Sequence, residues 1–133
     1  MIKVNELRLG NYVSVNKGFE MLVYSIFKDD TLYLDFIPPL VNEADIWEED
    51  AEDVSPIELT EEWFLKAGFE KSFTNDFWYS INVGDKRLLI STLGNIEIEK
   101  WDRTMIAFPD ICKYVHQLQN LYFALTGEEL KLK

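Results

Sequence analysis

The chain has 133 residues, of which 47% are apolar and 14% aromatic, and its formal net charge at pH 7 is −11. This length suits one domain or two small lobes that share a core, and the apolar content excludes an intrinsically disordered chain. The negative charge disfavours proteins that bind nucleic-acid phosphates or anionic membranes, because both kinds of binding need clustered Lys and Arg.

Cysteine usage and hydropathy indicate the cellular compartment of the protein. The single cysteine, Cys112, cannot form an internal disulfide bond. The first residues, Met1 to Arg8, lack the apolar core of a signal peptide, and no apolar run approaches the ~20 residues that span a bilayer. We therefore expect a soluble, cytoplasmic protein without a membrane partner.

Residues 1–59 predict a β-rich part. Gly10-Asn11 is a turn signal before an alternating strand. Two aromatic and β-branched runs, Phe19 to Phe27 and Thr31 to Ile37, predict a hairpin. Short strands with tight turns favour a bent antiparallel sheet. The pattern Leu-x-x-Gly-Asn-x-Val from Leu7 is similar to the first strand of SH3-like barrels, which makes an SH3-like partial barrel one interpretation.

An acidic segment follows. From Glu43 to Asp53 the chain has seven acidic residues and no basic one. We interpret this run as a solvated loop. The alternatives are a docking arm for a basic partner and mimicry of a nucleic-acid backbone, both centred on Glu48, Glu49 and Asp50. Trp47 is then either an anchor of the loop to the core or a contact residue.

Residues 60–133 predict an α-β-β-β-α unit, which together with the first part makes one compact α+β protein. Thr60 is placed as the N-cap of a two-turn helix that ends at Gly68, and Phe69 is placed to fold back on Phe64. Three antiparallel strands follow, from Asp76 to Trp101, and they alternate as expected for a sheet with one wet face. The apolar face is predicted to hold Phe77, Tyr79, Ile81, Val83, Ile96 and Ile98.

A C-terminal amphipathic helix is predicted from Ile111 to Leu125. Asp110 is placed to cap its first amides, and Gly127 supplies the left-handed residue that ends it. The apolar positions recur at the spacing of one buried helix face. They are Ile111, Tyr114, Val115, Leu118, Leu121, Tyr122 and Leu125.

The opposite side of this helix is polar and nearly uncharged. Lys113, His116, Gln117 and Asn120 occupy it. In one interpretation the amides satisfy nearby backbone groups. In the other, the four side chains form an interface with a protein partner or a second copy, because uncharged hydrogen-bonding surfaces lose water more easily than charged ones.

Three stretches together resemble a known group of proteins: Asn5 to Val13, Ser55 to Phe69 and Tyr114 to Leu130. The combination resembles a family of small proteins of unassigned activity in phages, prophages and mobile elements of Bacteroides-type gut bacteria. The resemblance implies a phage-related context, an intracellular location and an accessory role. The acidic run is not part of the shared pattern, so a function for it would be particular to this chain.

The residues carry no catalytic or cofactor-binding signature. Cys112 and His116 lie four residues apart on the predicted helix, but no further metal ligands and no oriented base can be assigned to them. The only basic doublet is Lys86-Arg87, so basic residues do not cluster and direct nucleic-acid binding is not expected. No glycine-rich phosphate loop is present.

These observations favour a non-enzymatic protein-interaction module without metal or cofactor. The first alternative is an acidic nucleic-acid mimic that inhibits a host DNA-binding protein. The second is a small enzyme whose site follows no recognised pattern.

Overall fold

The computed structural model describes residues 2–15, 18–27, 29–37, 47–73, 77–100 and 102–132. The chain divides into two compact units, Met1–Ile57 (unit 1) and Glu58–Lys133 (unit 2), shortly before the boundary expected at residues 59 and 60. Within the described ranges each unit holds a five-stranded antiparallel sheet, and both α-helices belong to unit 2. The broad α+β assignment is confirmed, with β structure dominant.

Unit 1 is a meander that is closed by a short last strand. Its strands are Tyr12–Val15 (β1), Phe19–Ile26 (β2), Thr31–Asp35 (β3), Trp47–Asp50 (β4) and Val54–Ser55 (β5). They lie in the order β4-β3-β2-β1-β5 with antiparallel pairing throughout. Single turns of 3-10 helix, at Val4–Glu6 and Ala51–Asp53, precede β1 and β5. The predicted hairpin of β2 and β3 is confirmed.

The core of unit 1 is built from alternate side chains of the first three strands. The buried strand residues are Val13, Val15, Met21, Val23, Leu32 and Leu34. Asn11 is also fully buried, and its Oδ1 accepts a hydrogen bond from the Arg8 N–H over 2.7 Å. The predicted Gly-Asn turn is confirmed, with Gly10 at a φ of 91°.

The acidic segment is not a loop in its described part. Residues 43–46 of the predicted loop lie outside the described residues. Trp47–Asp50 forms β4, and Ala51–Asp53 forms the 3-10 turn. The loop interpretation is therefore wrong for these residues, because ladder hydrogen bonds to β3 outweigh the low strand propensity of Glu and Asp.

The described part of unit 2 has five strands between its helices, where three were predicted. The helices are Glu61–Lys66 (α1) and Val115–Thr126 (α2), and the strands are Glu70–Lys71 (β6), Trp78–Val83 (β7), Lys86–Ser91 (β8), Ile96–Glu99 (β9) and Met105–Phe108 (β10). Each strand pairs antiparallel with its neighbour in the chain. The two additional strands, β6 and β10, form the two edges of the sheet.

The local chemistry of α1 follows the prediction. The helix begins after Thr60 as its N-cap, although no side-chain hydrogen bond caps it. Gly68 takes a φ of 87°, which permits Phe69 to turn back on Phe64 with 5.5 Å between ring centroids. The Phe64 ring also stacks on Tyr79 of β7 at 4.5 Å, so this short helix is fixed to the sheet by aromatic packing.

The apolar face of the unit 2 sheet is largely as predicted. Its buried residues are Tyr79, Val83, Leu88, Ile90, Ile96 and Ile98. Two predicted residues are not buried: Ile81 is half-buried, and the Phe77 side chain is 56% exposed. The position of Phe77 explains its exposure. It precedes the first residue of β7, Trp78, and the alternation of the strand does not constrain it.

The C-terminal helix begins at Val115 rather than at Ile111. Residues 111–113 are tied to other parts of unit 2 by backbone bonds: the amides of Ile111 and Cys112 donate to the Gly94 carbonyl, and the Leu59 amide donates to Lys113. A helix that began at Ile111 would need the Lys113 carbonyl as an acceptor, and the Leu59 amide already occupies that carbonyl. Gly127 ends the helix at a φ of 75°, as predicted.

The N-terminal cap of α2 differs from the prediction. Tyr114 is the N-cap, whereas Asp110 lies in the left-handed region at a φ of 59° and pairs with Lys113 at 2.7 Å. The prediction that Asp110 caps this helix is therefore wrong. Neither described helix is long and apolar enough to cross a membrane.

Candidate functional site

The predicted polar strip of α2 is not a continuous exposed surface. His116 is only 1% exposed, and its ring stacks on Tyr114 with 6.0 Å between centroids. The prediction that His116 faces solvent is wrong. The buried face of α2 holds His116 and Gln119 beside Val115 and Leu118. Because Ile111 lies before the helix, it no longer belongs to this face and is 51% exposed.

Gln117 satisfies the backbone instead of offering a contact. Its Oε1 accepts hydrogen bonds from the amides of Lys113 at 2.8 Å and Tyr114 at 3.1 Å. The interpretation that amides of this strip satisfy backbone groups is confirmed for Gln117. Lys113 is exposed, and its hydrogen bond with Asp110 raises the pKa of its ammonium group. Asn120 is half-buried.

The second predicted set of contact residues lies on β4, at one edge of the unit 1 sheet. Glu48 stands opposite Tyr33 and Asp50 opposite Thr31, so the two exposed carboxylates share one face. The Tyr33 ring of β3 also meets the ring of Phe27, the residue after β2, edge-on with 4.7 Å between centroids. A groove, here named the aromatic–acidic groove, is lined by Phe27, Asp29, Thr31, Tyr33 and Glu48.

Trp47 and Glu49 point to the other face of the sheet. The indole Nε1 of Trp47 donates to Glu49 Oε1 over 2.9 Å. The Trp47 ring lies 6.4 Å from that of Phe19, which meets Phe36 edge-to-face at 6.1 Å. Trp47 nevertheless remains 38% exposed. It anchors β4 and still presents part of its ring to solvent, and its role as a contact residue stays a prediction.

The aromatic–acidic groove brings together two kinds of group that attract cations. The faces of aromatic rings attract ammonium and guanidinium groups. The carboxylates of Asp29 and Glu48 form charge-assisted hydrogen bonds with the same groups. No basic side chain is among the described residues that line the groove. Its chemistry therefore suits a Lys or Arg side chain.

Sequence reasoning missed a basic groove in unit 2. Four basic residues line it, together with Asn82, Gly84, Asp85 and Glu99; they are Lys86, Arg87, Lys100 and Arg103. The expectation that basic residues do not cluster is therefore wrong in the folded chain. The antiparallel pairing of Arg87 with Glu99 brings two distant turns to one end of the sheet, a register that hydropathy alone does not give.

The basic groove is partly neutralised by its own acidic neighbours. Lys86 pairs with Asp85 at 3.3 Å, and Glu99 lines the same groove. Arg87 donates to the Ser80 hydroxyl over 3.1 Å. The positive charge of the groove is consequently weaker than its four cations suggest.

The thiol of Cys112 does not have the properties of a nucleophile. Its side chain is buried, and burial raises its pKa to about 12. A catalytic cysteine needs the opposite shift, because the thiolate is the reactive form. Among the residues that the structure describes, no group of His, Cys, Asp and Glu is arranged to hold a metal ion.

Comparisons of this chain with protein-family models, with curated proteins and with solved structures gave no match.

Proposed function

We propose that this chain is a non-enzymatic protein-interaction module whose unit 1 binds a basic segment of a partner protein. The observation that carries the proposal is the contact of the Phe27 and Tyr33 rings beside the carboxylates of Asp29 and Glu48. One Lys or Arg side chain can stack on a ring and pair with a carboxylate at the same time. The net charge of −11 adds long-range attraction for a basic partner.

Unit 1 is proposed to be an SH3-like partial barrel. Support comes from its strand order, in which β5 pairs with β1 and the other strands form a meander, and from the 3-10 turn between β4 and β5. The register of β2 against β3 also shifts between Val23 and Ser25. A bulge of this kind bends a strand and increases its twist, as closure of a small barrel requires.

The biological setting is proposed to be a phage or mobile element, in the cytoplasm of a bacterial host. Support comes from the resemblance of three stretches to phage-type proteins and from the single, buried cysteine. An accessory role, which the resemblance implies, is consistent with an interaction surface.

A labelled Arg-rich peptide, followed by fluorescence anisotropy, tests the groove. We expect the peptide to bind the full chain and a peptide with citrulline in place of Arg to bind far more weakly. Asp29→Asn together with Glu48→Gln should weaken binding at least tenfold, which is about 1.4 kcal/mol. Phe27→Ala should weaken it by a similar factor, because the ring contact is lost.

The matched control neutralises two exposed carboxylates of unit 2, Glu58→Gln and Glu128→Gln, with the same change in net charge. Binding should change less than twofold in this control. Absence of peptide binding contradicts the proposal. An equal loss of peptide affinity in the control and the groove variants also contradicts it. The attraction would then come from the net charge of the chain and not from the groove.

A further observation favours acidic mimicry of nucleic acid as a second candidate function. Four acidic residues and one lysine, Lys3, line one groove of unit 1; the acidic residues are Asp29, Asp30, Asp50 and Glu52. Several carboxylates along one groove resemble a row of phosphates to a DNA-binding protein. If this function holds, the chain displaces duplex DNA from a basic host DNA-binding protein, and Asp30→Asn with Glu52→Gln reduces the displacement. Failure to displace DNA eliminates this candidate.

A further inference from the structure

One of the two edge strands of the unit 2 sheet, β10, is apolar and exposed on both of its faces. β10 consists of Met105, Ile106, Ala107 and Phe108, and all four are exposed, the large side chains by 48%, 38% and 43%. One side of β10 pairs with β9, and on its other side the described sheet has no further strand. Proteins normally shorten, charge or cover such an edge, because it can pair with another chain.

The opposite edge of the same sheet is protected in this manner. β6 is only two residues long, and both Glu70 and Lys71 are charged and exposed. A short, charged edge strand discourages pairing between molecules. The contrast between the two edges identifies β10 as the one that can accept a further strand.

The outward hydrogen-bonding groups of β10 belong to Met105 and Ala107. The Lys100 amide donates to the Thr104 carbonyl over 2.9 Å, so Thr104 is bonded toward β9. In an antiparallel ladder alternate residues bond to the same neighbour, so Ile106 and Phe108 also bond to β9. Met105 and Ala107 then direct their N–H and C=O groups away from the sheet.

We propose that β10 pairs antiparallel with β10 of a second copy, across a two-fold axis at Ile106. In this register Met105 of each copy lies opposite Ala107 of the other, and the two exchange both backbone hydrogen bonds. All outward groups of the strand are then satisfied, and Pro109, which has no N–H, ends the ladder. A large methionine side chain faces a small alanine, and Ile106 faces its counterpart.

Residues of both charge signs flank β10 under this pairing. Lys100 and Arg103 precede the strand, and Asp110 follows it. Antiparallel pairing brings the basic end of one copy toward Asp110 of the other, which also pairs with Lys113 of its own chain at 2.7 Å. Asp102 also precedes the strand, but its carboxylate is turned back and accepts a hydrogen bond from the Thr104 amide over 2.9 Å.

The composition of the strand also favours a second copy over an ordinary amphipathic strand. An amphipathic strand would leave one apolar face of β10 against polar groups, whereas another β10 is apolar on both faces. A two-fold contact uses the same edge in each copy, so assembly stops at the dimer. A four-residue strand buries less than the roughly 1,200 Å² of a standard interface, so the dimer should be weak.

Sedimentation velocity of the full chain, from low micromolar to near-millimolar concentration, tests the proposal. We expect a monomer that converts to a dimer as concentration rises. Ile106→Lys and Ile106→Glu should each abolish the dimer, because like charges meet at the axis. An equimolar mixture of the two variants should restore a dimer, because Lys then faces Glu.

A backbone variant provides an independent check. Ala107→Pro removes an outward N–H without breaking a bond to β9, and it should abolish the dimer. Ala107→Ser keeps that N–H and should retain it. A wild-type chain that remains monomeric overturns the proposal, as does a dimer that persists in folded Ile106→Lys or Ala107→Pro, checked by circular dichroism. If the mixture of the Ile106→Lys and Ile106→Glu variants stays monomeric, the two-fold axis does not lie at Ile106.

Discussion

Gln117 reaches back along the chain to Lys113, where its side-chain Oε1 accepts the backbone N–H over 2.8 Å. The bond satisfies a donor at the start of α2 that has no partner inside the helix. A glutamine that looks like a contact residue in the sequence is therefore a structural residue.

Replacing Gln117 should destabilise unit 2. Gln117→Ala leaves the Lys113 and Tyr114 amides without this acceptor, and we expect the free energy of unfolding to fall by about 1 kcal/mol, as for other N-terminal caps. Gln117→Glu keeps the acceptor and should lose much less. Urea unfolding measures both values, and equal losses in the two variants would show that the hydrogen bond contributes little.

Gly94 should tolerate a side chain less well than Gly84. Both have positive φ, but a Cβ on Gly94 would lie 2.8 Å from Cγ of Lys113, whereas nothing lies within 4 Å of a Cβ on Gly84. Each change to alanine costs about 1–2 kcal/mol for the left-handed backbone. Gly94→Ala should cost more, because the Lys113 side chain, which pairs with Asp110, must also move. Thermal unfolding of both variants compares them, and similar melting temperatures would contradict the close approach.

Removing the Asn11 side chain should destabilise unit 1. Asn11→Ala leaves the Arg8 amide without its acceptor at a fully buried position, which costs about 1–3 kcal/mol. Asn5→Ala, at an exposed position before β1, is the control and should stay within about 0.5 kcal/mol of the wild type. Chemical denaturation followed by tyrosine and tryptophan fluorescence measures the change. An Asn11 variant as stable as the control would mean that water replaces the lost bond.

The thiol of Cys112 should resist alkylation in the native state. Burial raises its pKa to about 12, so at pH 8 the folded chain should react with iodoacetamide far more slowly than the denatured chain. The unfolded thiol ionises near its ordinary value of 9.0 and the folded thiol does not, so its contribution to the free energy of unfolding falls as pH rises from about 9 toward 12. The Cys112→Ala variant should not show this part of the decrease in the free energy of unfolding at alkaline pH. Rapid alkylation of the native chain would contradict the burial.

Elements whose contacts are local could be predicted from the sequence. The end of α1 depends on Gly68 and on Phe69 folding back over one turn, and both are readable within a few residues. The start of α2 could not be read in this way, because backbone bonds to Gly94 and Leu59 hold the preceding residues. β10 lacks the alternation that identifies a strand, so only its pairing with β9 reveals it.

The residues of the candidate site show the same difference between what is local in the sequence and what depends on long-range contacts. Glu48 and Asp50 stand out in the sequence because they belong to an acidic run. Phe27 and Asp29 do not, because their proximity to Glu48 depends on the register of β3 against β2 and β4. A sequence pattern identifies charge, whereas strand register decides which ring the charge lies beside.

The pairing of Val15 with Val54 influences the order in which the chain can fold. In unit 2 each strand needs only a short turn to reach its neighbour, so its hairpins can form rapidly, one after another. In unit 1 the contact between β1 and β5 must wait until β2, β3 and β4 have been synthesised, and closing so long a loop costs more entropy. During translation β1 leaves the ribosome before the other strands of its sheet, yet it is among the last of them to obtain all of its partners.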